Sequence, residues 1–222
     1  QGVENRRLRV GEERRAREQA QQKQGAEAAK ARPLFQLASK RFADASAKLR
    51  AQIEDKSLPF NVRKYLEREA FEAELASGIN QFSIAETFMP DEILNVAQKK
   101  QRNDFLELAK DVFLKLGKGP STNRTVWIAR AWYAEVTYEQ NDFMAAAAEV
   151  AFVLKATAIE AEDGKRLARF FQLRRNARAA LNERVQVKIT AAEGEMRRWL
   201  GLYGNPRKPT PEVYAVKYYL AR

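Results

Sequence analysis

Three features of the 222-residue sequence predict an all-α fold of stacked antiparallel helix pairs. Helix formers dominate (Ala, Glu, Arg, Lys, Leu and Gln), while ten Gly and seven Pro sit at plausible joints. Apolar residues recur at steps of three and four through most of the chain, the spacing that puts them on one face of a helix. The stretch from Thr122 to Leu154 then reads as two helices joined by a turn so short that they must pack together. Its first helix, from Val126 to Tyr138, is apolar nearly all round, as buried helices are. Its second is mostly alanine where it must meet the first. One such pair cannot bury its outer faces alone, so neighbours must stack on it.

In chain order, residues 1–32 are rich in Arg, Glu, Gln and Ala, with Leu8 and Val10 their only large aliphatics, and are expected to form a charged arm or solvent-exposed helix. Pro33 suits the first position of a helix carrying Phe35, Ala38, Phe42, Ala45, Leu49 and Ile53 as one stripe. That helix should stop near Asp55–Ser57, before Pro59. A second amphipathic run follows from Asn61, with Phe71, Leu75, Ile79, Phe82, Ala85 and Met89 on one face. Gly78 is a candidate break, Pro90 the end, and Asp91 the next start. Ile93, Leu94 and Ala97, then Phe105, Leu108, Ala109, Val112, Phe113 and Leu116, give one helix or two. Gly117-Lys118-Gly119-Pro120 is a stop.

Beyond the central pair, Glu162-Asp163-Gly164 is expected as a joint, followed by a hairpin of Lys165–Leu181 and Val185–Leu202 across Asn182-Glu183. Thr210-Pro211-Glu212 is a strong helix start after the Gly204–Pro209 loop. The last helix leaves Val213, Val216, Tyr219 and Leu220 with no further hairpin to pack on, so the sequence reads as stopping inside a longer array.

These hairpins resemble tetratricopeptide-type (TPR) repeats. Asn141-Asp142-Phe143 is similar to the family's inter-helix turn, Ala134 to its small first-helix residue and Ala146 to its second-helix alanine, with Val150 where an aromatic is usual. Phe35, Ala38, Phe42 and Ala45 match the second-helix spacing, and Leu106, Ala109, Phe113 and Leu116 match it in part. The resemblance covers Pro33 to the end, without a regular 34-residue period or the Trp-Leu-Gly pattern of the family's first helix. It implies a domain over 33–222, an α-α superhelix (a TPR-like solenoid) whose first helices line a concave surface for a protein or peptide.

With no cysteine there are no disulfides or thiolate sites, and with no histidine the commonest general base and metal ligand are gone. Gly117-Lys118-Gly119-Pro120-Ser121-Thr122 superficially resembles a phosphate loop but lacks the order and the preceding strand that one needs. Glu67, Glu69, Glu72 and Glu74 lie within ion-pairing steps of Arg63, Lys64 and Arg68 and read as a solvated face. Asn123-Arg124-Thr125 fits a glycosylation sequon and, without a secretory signal, a helix-capping loop. No enzyme site, cofactor or membrane span is expected. The chain begins at Gln1 rather than Met and shows no signal-peptide pattern, which leaves the compartment open.

The net charge of +11 is uneven: residues 165–222 hold fourteen basic and four acidic side chains, while 33–164 hold seventeen and twenty. In KRLARFFQLRRNARAAL, from Lys165, a broad apolar face of Leu167, Phe170, Phe171, Leu173, Ala177 and Leu181 contains Arg174 and Arg178, with Arg169 and Arg175 beside it. Arginines so placed snorkel, pair with a buried carboxylate, or await an anion. In the third case Arg169, Arg174, Arg175 and Arg178 form a partner-binding set, which Tyr203 and Lys217 extend. The reading is a non-enzymatic docking scaffold for a protein or peptide, an acidic one being favoured. The alternative is a helical nucleic-acid binder using 165–222 and the N-terminal arm. Oligomeric state is not legible.

Overall fold

The computed structural model describes residues 2–88, 94–204 and 209–221, and inside the first helix the side chains of Lys23 and of residue 25 onward. Those residues form eight α-helices and no strand, so the protein is all-α. They divide into two compact units, Gln1–Val112 and Phe113–Arg222. Pro90, Asp91, Met89 and Ile93, to which the sequence assigns a helix end and start, lie outside the described residues.

The first unit is dominated by a pair of long helices, α1 (Gly2–Ile53) and α2 (Phe60–Glu86). Their contacts run antiparallel, and small residues let the backbones come close. Ser39 Oγ donates to the Ser77 carbonyl at 3.3 Å, Ser77 Oγ to the Ser39 carbonyl at 3.1 Å, and Ser46 Oγ to the Ala70 carbonyl at 3.2 Å. Ser39 and Ser46 are therefore the most buried residues of the described part of α1, at 2% and 5% exposure, while Phe42 stays 40% exposed. Phe35, Ala38, Ala45, Leu49 and Ile53 of the stripe expected on α1 are half-buried along this same seam, and Phe42 alone of the six is exposed. A hydroxyl satisfied by the partner's carbonyl can be buried as readily as a methyl group, and it packs closer.

Two other expectations are corrected in this unit. Pro33 does not start a helix: α1 runs through it unbroken. The ring removes the N–H that would bond the Ala29 carbonyl, a loss of roughly 3 kcal/mol in an isolated helix. Packing holds the helix on both sides of that defect: before it, Arg32 Nε donates to Thr87 Oγ1 at 2.7 Å, and its guanidinium lies 3.7 Å from the centroid of Phe88. Phe35 packs beside them on the Ile84–Phe88–Leu94 cluster. Gly78, in turn, does not split α2; it is buried inside it. The α1 stop at Ile53 matches the expected one, and in the turn that follows Asp55 accepts from Ser57 N and Oγ.

A single helix, α3 (Val96–Gly117), spans the division and ends at the Gly-Lys-Gly-Pro stop. The second unit continues with α4 (Arg124–Glu139) and α5 (Phe143–Lys155), the expected central hairpin. Asn123 caps α4, its side chain accepting from Thr125 N at 2.9 Å. The turn works through Asn141, which takes φ +66°, a left-handed conformation that asparagine tolerates, and Asp142, which caps α5 by accepting from Ala145 N. Ala134 and Ala146 are both buried to 1%. As expected for a helix apolar all round, α4 buries Val126, Trp127, Ala129, Ala131 and Val136.

Next come a 3₁₀ turn (Ile159–Ala161), α6 (Glu162–Glu183), α7 (Gln186–Tyr203) and α8 (Pro211–Leu220). Glu162-Asp163-Gly164 is thus the first turn of α6 and not a joint. The joint is the 3₁₀ turn before it. Gly164 is there for contact: a Cβ on it would stand 2.6 Å from the Trp127 carbonyl oxygen, so α6 crosses α4 backbone to backbone. The apolar face of α8 is also not left over. Val213 and Val216 are 1% exposed, and Tyr219 and Leu220 pack on the same core, against α6 and α7.

Candidate functional site

The arginines of α6 point two ways. Arg174 and Arg178 face α4: Arg174 Nη2 stands 2.6 Å from Glu135 Oε1, and Arg178 Nη1 3.9 Å from Glu139 Oε1. Glu135 is fully buried, and Arg175 Nε approaches its other oxygen at 3.5 Å. Burial pushes the Glu135 carboxyl above the ordinary glutamate range, and the two guanidiniums pull against that shift. Arg174 keeps only 10% of its side chain exposed and lies 5.3 Å from the Phe171 centroid, whereas Arg178 remains about half exposed. Of the three uses open to these arginines, internal pairing is the one found for Arg174.

The opposite side of α6 opens into a cleft of about 690 Å³. Its floor is Arg169, Gln172, Leu173 and Asn176 of α6, at steps of three, one and three. One wall is the Phe143–Ala147–Val150 stripe of α5, and the other is Glu195, Arg198, Trp199 and Leu202 of α7. Each helix therefore turns one regular face to the same space.

The two ends differ. At one, Arg169 hydrogen-bonds the Tyr203 hydroxyl and lies 5.9 Å from its ring centroid, and Tyr203 packs on Trp199 at 5.2 Å. Trp199 is fixed from beneath by its ring N–H, which donates to the Arg166 carbonyl at 3.4 Å. At the other end Arg175 lies 4.1 Å over the Tyr138 ring, which meets Phe143 edge-on at 4.9 Å. Asn176 there donates to Glu195 at 3.1 Å. Three guanidiniums and one carboxylate line the cleft. Arg175 is shared with Glu135, but Arg169 and Arg198 are exposed and have no carboxylate partner among the described residues. A guanidinium beside an aromatic face suits a carboxylate or phosphate bound bidentately with an apolar group next to it.

Of the six residues that the sequence nominates, Arg169, Arg175 and Tyr203 line the cleft together. Arg174 and Arg178 lie on the α4 side, and Lys217 is exposed on α8, outside the lining. Arg198, Trp199 and Phe143 belong to the cleft without having been nominated. The signal for Arg198 was present: it precedes Trp199 and stands four residues before Leu202, so it borders the face that α7 turns to α6.

No helix among the described residues is long and apolar enough to cross a membrane. Comparison with protein-family models, with curated proteins and with solved structures finds no match to this chain.

Proposed function

We propose that the protein is a non-enzymatic docking scaffold, with a TPR-like superhelical second unit that receives an acidic protein or peptide segment in the α5–α6–α7 cleft. The observation that carries this reading is the pair Arg169 and Arg198, exposed on the cleft with no carboxylate partner among the described residues, Arg169 beside Tyr203 and Arg198 next to Trp199 in α7. The TPR likeness draws support from the α4–α5 turn through Asn141 and Asp142 and from the buried Ala134 and Ala146. It also draws support from α6 packing on both helices of the preceding pair. The start of α6 follows that of α4 by 38 residues, against the family's 34, and the excess lies in the Ala156–Ala161 connection. Two of the four helices lining the cleft, α5 and α7, are second helices of their pairs, so this surface differs from the first-helix surface that the family implies.

A nucleic-acid reading stands second, favoured by the charge of residues 165–222 and by Tyr214 and Tyr218, which α8 exposes by about 60% each. An array of acidic, neutral and basic peptides, run beside a labelled oligo-dT, separates the two. Docking predicts retention of acidic peptides, at least tenfold weaker in the Arg169→Gln/Arg198→Gln variant. Retention of oligo-dT alone, with affinity falling steeply as salt rises, overturns it in favour of nucleic acid.

A further inference from the structure

The geometry points to an amphipathic α-helix as the occupant of the cleft, one that places carboxylates toward Arg169 and Arg198 and an apolar side chain toward Tyr138 and Phe143. This rests on the docking reading above and narrows it.

Three observations lead there. Most lining residues sit inside helices, whose backbone N–H and C=O groups are bonded along the helix, Phe143 and the Leu202–Tyr203 pair being helix ends, and no strand is present among the described residues. An extended segment would find no sheet edge to join, so recognition has to run through side chains. The floor and walls, moreover, present stripes seven or eight residues long, about 10–12 Å at the helical rise, or two turns. A guest helix laid along such a trough offers its own residues at i, i+3, i+4 and i+7, the spacing that matches the stripes.

The third observation is charge, which sets both the class and the orientation of the face. The second unit carries nineteen basic and eleven acidic side chains, so a second copy of it is electrostatically disfavoured as the guest. Within the cleft Arg169 stands at the Tyr203 end, and Arg198 reaches in from the α7 wall, its Nε 3.5 Å from the Gly194 carbonyl. The opposite end holds the Tyr138–Phe143 edge contact, with Arg175 stacked on it and held by Glu135. The guest therefore needs Asp or Glu one to two turns from a bulky apolar residue, on the same face.

Two displayed libraries of equal size test this against the full chain: randomised faces on a rigid helical scaffold, and flexible linear peptides. Enriched clones are measured by fluorescence anisotropy on the wild type and on Arg169→Glu/Arg198→Glu and Arg169→Gln/Arg198→Gln, each variant first matched to the wild type in helical circular dichroism and tryptophan emission. The expected result is enrichment from the helical library. Those clones carry the acidic-plus-apolar face, bind both variants at least tenfold more weakly, and regain affinity for the Glu variant when their acidic residues are changed to Arg. Enrichment only from the linear library, with the same loss on the variants, overturns the helix and leaves acidic docking standing. Helical clones without acidic residues overturn it too. If no clone of either library depends on Arg169 and Arg198, the docking reading falls as well.

Discussion

Gly164 and Gly194 are both helical glycines, and alanine should act on them with opposite sign. In an unconstrained helix interior, Gly→Ala stabilises by about 0.5–1 kcal/mol through backbone entropy and propensity. At Gly194, in α7, a new Cβ would meet nothing within 4 Å, so the variant should gain about that amount. At Gly164 the same carbon would lie 2.6 Å from the Trp127 carbonyl oxygen and 2.8 Å from its carbon and Cβ. Ordinary contact begins near 3.4 Å, so α4 and α6 must separate by almost an ångström, and the obstacle is backbone, which cannot rotate away. Overpacking of that kind costs about 1–3 kcal/mol, and the propensity gain is small in the first turn of a helix. Gly164→Ala should therefore lose about 1–2 kcal/mol. Urea unfolding followed by tryptophan emission reads the right unit, because Trp127, Trp132 and Trp199 all lie in it. Equal stabilisation by both alanines would refute the close crossing of α4 and α6.

Other outcomes follow from single contacts. Trp132 stacks on Phe113 at 5.9 Å and meets Phe171 edge-on at 4.6 Å, so Trp132→Ala should cost about 3–5 kcal/mol in the same assay; a loss below about 1 kcal/mol would place it outside the core. Glu135→Leu strands Arg174 and should lose about 3–5 kcal/mol, most of it recovered in Glu135→Leu/Arg174→Met; additive losses would contradict the buried pair. The raised carboxyl of Glu135 means that the folded chain holds this proton to higher pH than the unfolded one. Its contribution is whole below the ordinary glutamate value and is lost as pH rises through the raised one, so Glu135→Gln should gain on the wild type over that window. A variant that loses ground as pH rises reverses that sign. Pro33→Ala restores a helical N–H inside α1 and should raise the melting temperature with added helical dichroism; no change would mean that the bond to Ala29 is not made.

What the sequence made legible follows what periodicity measures. The buried circumference of α4, the Asn-Asp turn, the α3 stop and the Thr-Pro start of α8 are local signals, and the structure repeats each of them. The seam of α1 was read only in part because periodicity scores apolar atoms, and Ser39 and Ser46, its most buried members, are buried by virtue of hydroxyls whose acceptors lie on another helix. Pro33 was misread for a related reason, since a local rule for helix starts yields to packing from α2. Gly164 looked like punctuation, and only the path of α4 shows that it is a contact.

The cleft was half legible for the same physical reason. Composition put a run of arginines on one helix, but whether a guanidinium is neutralised depends on the element opposite. Successive positions of α6 rotate by about 100°, so residues five apart, Arg169 and Arg174, reach different neighbours. One direction meets Glu135 and Glu139 of α4, and the charge there is consumed in holding α6 to the preceding pair. The other meets α5 and α7, where the cleft lining holds three guanidiniums against one carboxylate, Glu195, which accepts from Asn176. The same run of arginines thus both fastens the hairpins together and leaves a cationic, aromatic trough beside the joint. Loosening the α4 contact should shift the floor of that trough, because the residues in both roles lie on a single rigid helix.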